Sequence, residues 1–313
     1  MILQCQYLQN FKTLSANDSE CAQHIRLLQY GPMNDATMSD TTALPSNEWR
    51  NNALAILRMA EPNTKAQAAA QLYQQRHALQ LDTAQTLEPP VPDAPLMPAN
   101  LALALHTELG RRSPATLQGR AILLHAIVHI EYNAIHLALD AVWRFAGMPN
   151  AYYEDWLKVA AEEAQHFQML RAQLQRMGFD YGDFPAHQGL WTMCEKTKHD
   201  ILPRMALVPR TLEARGLDAT PQIQHKLRNV QAEDAQATAL ILDTILREEV
   251  GHVAIGNYWY RWLCHQRGLE PVSLYAQLVQ EYDAPRPKPP LNLEARRAAG
   301  FSEQELDYLQ WGA

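Results

Sequence analysis

Two five-residue segments constrain this chain more than any other feature: EEAQH at 162–166 and EEVGH at 248–252. Each sets a glutamate three residues before a histidine, Glu163 with His166 and Glu249 with His252. Both lie in long runs of helical periodicity, where positions i and i+3 leave one face and can grip a single ion together. With 19 Glu and 12 His in 313 residues, chance supplies roughly 0.7 such pairs, so two are suggestive and need a second signal.

That signal is the placing of isolated glutamates. Glu131 lies 32 residues before Glu163, among Leu124, Ile127, Val128, Ile135, Ala138 and Leu139, so its carboxylate falls in a core-facing apolar stripe. A charge there is costly unless it is paired or bound to a metal. Ahead of the second motif two residues compete, Glu195 and Glu213. They share one face of a regular helix, yet lie too far apart along it to serve one site. Glu213 precedes Glu249 by 36 residues, against 54 for Glu195, and so repeats the order of the first half at an offset of 82 to 86 residues. The predicted ligands are therefore Glu131, Glu163, His166, Glu213, Glu249 and His252, with the four carboxylates as the catalytic groups.

Gly and Pro divide the chain around this pattern. Residues 1–62 show little periodicity beyond a helix near 48–59. A second helix is expected from Asn63, as N-cap, to Leu81. Five prolines between Pro89 and Pro98 then preclude a helix and suit an extended connector. Four long helices follow. The first opens at Ser113-Pro114 and stops before Gly147; the second spans about 152–177 and ends at Gly178. The third spans about 190–216, kinked at Pro203 and Pro209, and the fourth spans about 232–266, closed by Gly268. A short helix is expected after Thr220-Pro221 and another near 272–282, and Ser302-x-x-Glu305 announces a last one as a capping box. The chain thus reads as an N-terminal helical and extended region at 1–112, an all-α four-helix bundle at 113–268, and a C-terminal tail at 269–313. Two antiparallel pairs with a longer crossover match the ferritin-like arrangement.

Composition excludes several classes. A net charge of -7 with pI ≈ 5.9 offers no cation excess for phosphate, so a nucleic-acid partner is disfavoured. No apolar run reaches the ~18 residues of a membrane span, and no secretory signal is legible, so a soluble, cytoplasmic protein is expected. Cys5, Cys21, Cys194 and Cys264 form no CxxC pair and read as reduced thiols.

Several residues near the motifs read differently. His125, His129, His136 and Asp140 form a stripe opposite Glu131 and are expected to touch another segment. Glu162 and Glu248 project about a quarter-turn from the ligand face, toward the surface or outer contacts. Asp243 is a candidate to orient a ligand histidine, against an ordinary solvated role. Tyr132, Tyr258 and Tyr260 read as core or rim rather than as redox-active tyrosines.

The segments HAIVHIEYNAIHLALD, DWLKVAAEEAQHF, YGDFPAHQGLW, LVPRTLEARGLDATP, REEVGHVAIGNYW and LNLEARRAAGF resemble the signature blocks of a ferritin-like family of bacterial proteins catalogued as a domain of unknown function. The similarity covers most of the chain from about residue 45. It implies a ferritin-like fold with the six residues above at the ligand positions. LEAR at 212–215 is also similar to the matching helix of ferritin-like tRNA hydroxylases, which supports Glu213.

Four carboxylates and two imidazoles suit iron or manganese, and the four charges balance two divalent ions. Metals about 3.5–4 Å apart are the physical basis of oxygen or peroxide chemistry. The expected protein is a non-haem dinuclear iron oxidase or hydroxylase, with manganese as the alternative metal. It would act on a small-molecule substrate and take electrons from a separate donor protein, since no GxGxxG is present. The competing expectation is metal handling, by ferrous iron oxidation or manganese-dependent peroxide removal without organic substrate. A monomer or homodimer is expected. The insert YGDFPAHQGLW is expected to help shape the entrance, with the tail at 292–301 folded back.

Overall fold

A computed structural model describes residues 44–104, 113–187 and 189–311. Among them the chain is all-α: no strand forms, and two isolated bridges, Glu48 with Gln80 and Leu103 with Ala186, are the only β pairings. The reading of residues 1–43 as irregular chain, and the thiols of Cys5 and Cys21, lie outside the described residues.

Helix α1 (Trp49–Leu57) is capped by Glu48, whose carboxylate accepts from Asn51 N. Helix α2 (Pro62–Gln75) starts earlier than Asn63 capping would allow. The Glu61 carboxylate accepts from both Asn63 N and Thr64 N, and Pro62 takes the first helical position, where a missing N–H costs nothing. Residues 88–98 carry no helix, as their prolines require.

Helix α3 (Leu117–Arg144) begins at neither Ser113 nor Pro114. Thr116 caps it through Oγ1, which accepts from Gly119 N at 3.0 Å. The chain before the cap folds across the first turn, so close that a Cβ on Gly119 would stand 1.9 Å from the Ser113 carbonyl oxygen. By length and composition alone α3 could cross a membrane, although no uninterrupted apolar run in it reaches the span length. However, 78% of its most apolar stretch is buried against the rest of the protein, as befits a core helix. Tyr153 donates to Phe145 O and accepts from Met148 N, pinning the short turn that returns the chain as α4 (Asn150–Arg176) along α3. Helices α1 and α2 pack on this pair. The buried Arg50 donates to the last carbonyls of α3, Val142 O and Trp143 O, placing a cation where the helix dipole is negative.

The third long helix is where the sequence expectation fails most. It breaks into α5 (Gly189–Lys196), α6 (Ile201–Leu207), a π-helical turn (Val208–Glu213) and α7 (Ala214–Arg228). Asp200 accepts from Leu202 N and restarts the chain as α6, which puts Pro203 in a first turn that tolerates it. At Pro209 the chain takes a π-turn rather than a simple kink. Gly216 does not stop the chain, and α7 runs on through Pro221.

Helix α8 (Glu233–Arg267) ends on Gly268 at φ +64° and packs against α4, α6, the π-turn and α7. Helices α9 (Pro271–Glu281), α10 (Leu293–Ala298) and α11 (Glu303–Trp311) complete the described chain. The capping box forms as expected, Ser302 N donating to Glu305 Oε2 and Glu305 N to Ser302 Oγ. The tail does fold back: Asn292 N donates to Asp218, and Asn257 Nδ2 to Ala299 O.

Candidate metal centre

The inward faces of α3, α4 and α8 bring Glu131, Glu163, His166 and Glu249 together, each offering an atom within 4.8 Å of the others. All four are buried. His166 Nδ1 lies 3.3 Å from Glu131 Oε2, 3.4 Å from Glu163 Oε2 and 3.7 Å from Glu249 Oε1. The buried His252 ring lies tilted with its centre 5.7 Å from that of His166, its Nδ1 standing 2.8 Å from Glu163 Oε1 and 3.4 Å from Glu249 Oε1. Glu213, at the end of the π-turn, feels the charges of Glu163, Glu249, His252 and Glu131. Glu195 is exposed on α5, so the break after α5 removes it from contention.

Electrostatics follow from this crowding. Burial first, then the negative charge of Glu163, raises the proton affinity of the Glu131 carboxyl. Burial also raises Glu213, and the neighbouring Glu163 and Glu249 add to it. For the histidines burial works against the charged form, but surrounding carboxylates override it and hold both well above the ordinary range. Protons and cations thus compete for one negative pocket.

The decisive feature is unfinished hydrogen bonding. Glu131 Oε2, Glu163 Oε2, His166 Nδ1 and Glu213 Oε2 are each shielded from solvent with no hydrogen-bond partner; the 3.3 Å approach of His166 to Glu131 is too poorly aligned to count. Buried polar atoms are seldom orphaned, and here three belong to the close-set group on α3 and α4, while the fourth, on the π-turn, lies within reach of its charges. Oxygen and imidazole donors of this kind fit hard or borderline divalent cations, so the group could hold metal.

Glu162 and Glu248 have a role that sequence reasoning left as an outer contact. His166 on α4 donates through Nε2 to Glu248 on α8 at 2.8 Å, and His252 on α8 donates to Glu162 on α4 at 2.9 Å. Each motif's extra glutamate therefore fixes the other motif's histidine with Nδ1 turned inward. The doubled Glu of both motifs was the available signal. Asp243 does not orient a histidine: it accepts from Gln224 and pairs with Arg228.

The histidine stripe meets other segments, as expected. His129 reaches Tyr181 Oη and His187 O, His125 accepts from Gly182 N, and His136 meets Lys65 Nζ at 2.7 Å. Asp140 pairs with Arg144 and Arg204. The insert YGDFPAHQGLW meets this stripe at His125 and His129, through Tyr181, Gly182 and His187. Tyr132 and Tyr260 are buried core rings, and Tyr258 is exposed. Cys194 and Cys264 are free, buried thiols.

Fold and site together define an all-α protein with a buried Glu/His cluster able to hold metal. The chain belongs to the family described as "Protein of unknown function (DUF455)", whose model matches residues 58–307. It is 43% identical over 278 residues to an "Uncharacterized protein" of Haemophilus influenzae, covering 86% of this chain and 95% of that one. No solved structure matches.

Proposed function

We propose that this chain is a ferritin-like dinuclear metal protein whose two ions, iron with manganese as the alternative, are held by Glu131, Glu163, His166, Glu213, Glu249 and His252. We assign it an O2-dependent oxidase or hydroxylase activity on a small organic molecule. The observation that carries this reading is the group of four buried, unpartnered donor atoms from α3, α4 and the π-turn. The lone Glu followed by Glu-x-x-His, repeated in the two halves, supports two ions rather than one, and four carboxylates neutralise two divalent charges.

When bound, the ions supply the redox equivalents for oxygen chemistry. The chain's own residues do the rest. Glu162 and Glu248 hold the Nε2 protons, so both Nδ1 lone pairs point inward. The apolar neighbours Val128, Ile135 and Phe167, all buried, keep bulk water from the carboxylates and strengthen their interaction with cations. Electrons come from a separate donor protein, and the protein works in the cytoplasm as a monomer or homodimer.

The test is direct. Chains loaded anaerobically with Fe2+ or Mn2+ are assayed for metal by mass spectrometry, and iron-loaded protein is then given O2. Two ions per chain, lost in Glu163→Ala, are expected. Uptake of neither metal ends the proposal. Stoichiometric Fe2+ oxidation followed by iron accumulation, with no organic product formed when a donor is supplied, would select metal handling instead.

A further inference from the structure

Glu213 is the one proposed ligand that regular helical structure does not aim. It closes a six-residue π-turn. The wider turn carries one residue more than an α-helical path would, and so rotates the chain beyond it by about 100°. A π-turn costs hydrogen-bond geometry and persists only where its surroundings hold it.

The C-terminal segment supplies that hold. Arg210, in the middle of the π-turn, is wholly buried, and its guanidinium lies 5.1 Å, 4.8 Å and 4.7 Å from the ring centres of Tyr260, Tyr275 and Phe301. It donates to Asn257 Oδ1 on α8 at 2.6 Å and to Glu305 Oε1 on α11 at 2.8 Å. Glu305 is itself fixed, accepting from Ser302 N and Arg261 Nη2 through its other oxygen. On the far side of Glu213, Arg296 of α10 donates to the Ala214 carbonyl at 3.2 Å while paired with Asp218. Two tail side chains thus grip the chain on both flanks of Glu213.

We infer that Glu305 and Arg210 are positioning residues that set Glu213 against the cluster, so that the C-terminal segment 291–311 is a working part of the metal centre. Neither residue touches an ion; they act through the backbone of the π-turn. The inference rests on the metal reading above and adds that ligation by Glu213 depends on the docked tail. Removing the Glu305 carboxylate takes the counter-charge from a buried guanidinium, leaving it Asn257 and the three rings, and frees the π-turn to relax toward α-helical geometry.

The experiment is a Co2+ titration of full-length protein, followed by visible absorption and by metal content after desalting. Wild type is expected to take two ions. Glu305→Ala, folded by circular dichroism, is expected to keep the first ion and to bind the second about 10-fold to 100-fold more weakly. Glu305→Gln, which keeps the shape and one acceptor, covers the case in which the alanine variant fails to fold, and is expected to fall between the two. Arg297→Ala breaks the exposed tail pair with Glu303, away from the π-turn, and should leave both ions in place. Folded Glu305→Ala or Glu305→Gln chains that bind both ions like wild type would overturn the inference while leaving the metal reading intact. A wild-type chain that binds no ion overturns both.

Discussion

Gly256→Ala tests how tightly the π-turn is held. A Cβ at position 256 of α8 would lie 2.5 Å from Pro209 Cβ and 2.7 Å from its Cγ. Carbons pack at about 3.5–4.0 Å, so the helix or the π-turn must give by about 1 Å, and a proline ring has no flexible end to swing aside. Such overpacking costs about 1–3 kcal/mol, offset by the gain of about 1 kcal/mol for Ala over Gly inside a helix. The net loss is at most about 2 kcal/mol, a fall in Tm of up to about 4 °C at this size. The functional effect is larger, because metal–ligand distances tolerate only about 0.2 Å, and Pro209 shares the π-turn with Glu213. Gly251→Ala is the control: its Cβ meets nothing within 4 Å, so it should raise stability by about 1 kcal/mol. Thermal unfolding and metal titration read both variants. If Gly256→Ala gains stability as Gly251→Ala does and still binds both ions, the close packing of Pro209 on α8 does not position Glu213.

The same geometry makes further outcomes testable. Glu248→Gln should weaken metal binding by about 10-fold to 100-fold, acting across the helix pair on His166, while Glu195→Gln, on an exposed residue, changes nothing; isothermal titration with Mn2+ separates them. In metal-free protein the cluster binds protons more tightly folded than unfolded, since Glu131, Glu213, His166 and His252 are all raised. Its stabilising contribution is full below the ordinary values of 4.5 and 6.5 and is lost as pH rises through the raised ones. With chelator present, Tm should therefore fall as pH rises above 4.5, through about 7 where Glu131 titrates, and further as pH passes the raised values of the two histidines, whereas metal should flatten the profile and its affinity should climb with pH; a pH-independent Tm would contradict this. Glu305 is held below the ordinary carboxylate range, since Arg210, Ser302 N and Arg261 outweigh the cost of its burial. Its contribution is present above 4.5 and disappears as acid titrates it, and Glu305→Gln should remove that acid sensitivity from thermal unfolding. Thr116→Ala should cost about 1 kcal/mol and Ser113→Ala almost nothing, measured by denaturant midpoints; equal losses would place the α3 cap wrongly.

Much of the fold was legible because its signals are local. Gly178 and Gly268 stop α4 and α8 where their sequence positions suggest, the Ser302–Glu305 capping box forms, and the prolines of 88–98 exclude helix. The errors lie where two local signals compete. At α3 the start read at Ser113-Pro114 gives way to a cap at Thr116, with Gly119 letting the incoming chain lie across the first turn. At α2, Glu61 wins over Asn63 because its longer side chain reaches two free N–H groups. The third long helix defeated periodicity altogether, since Asp200 reopens the chain and neither Gly216 nor Pro221 closes it.

Spacing alone paired Glu163 with His166 and Glu249 with His252, because a helix repeats every 3.6 residues whatever surrounds it, and apolar neighbours marked Glu131 as inward. Only the packed structure could set Glu162 on His252 and Glu248 on His166, or clasp the π-turn that carries Glu213 with the tail. Those contacts join residues from 82 to 95 positions apart, and no periodicity along one segment encodes which far segment will lie against it.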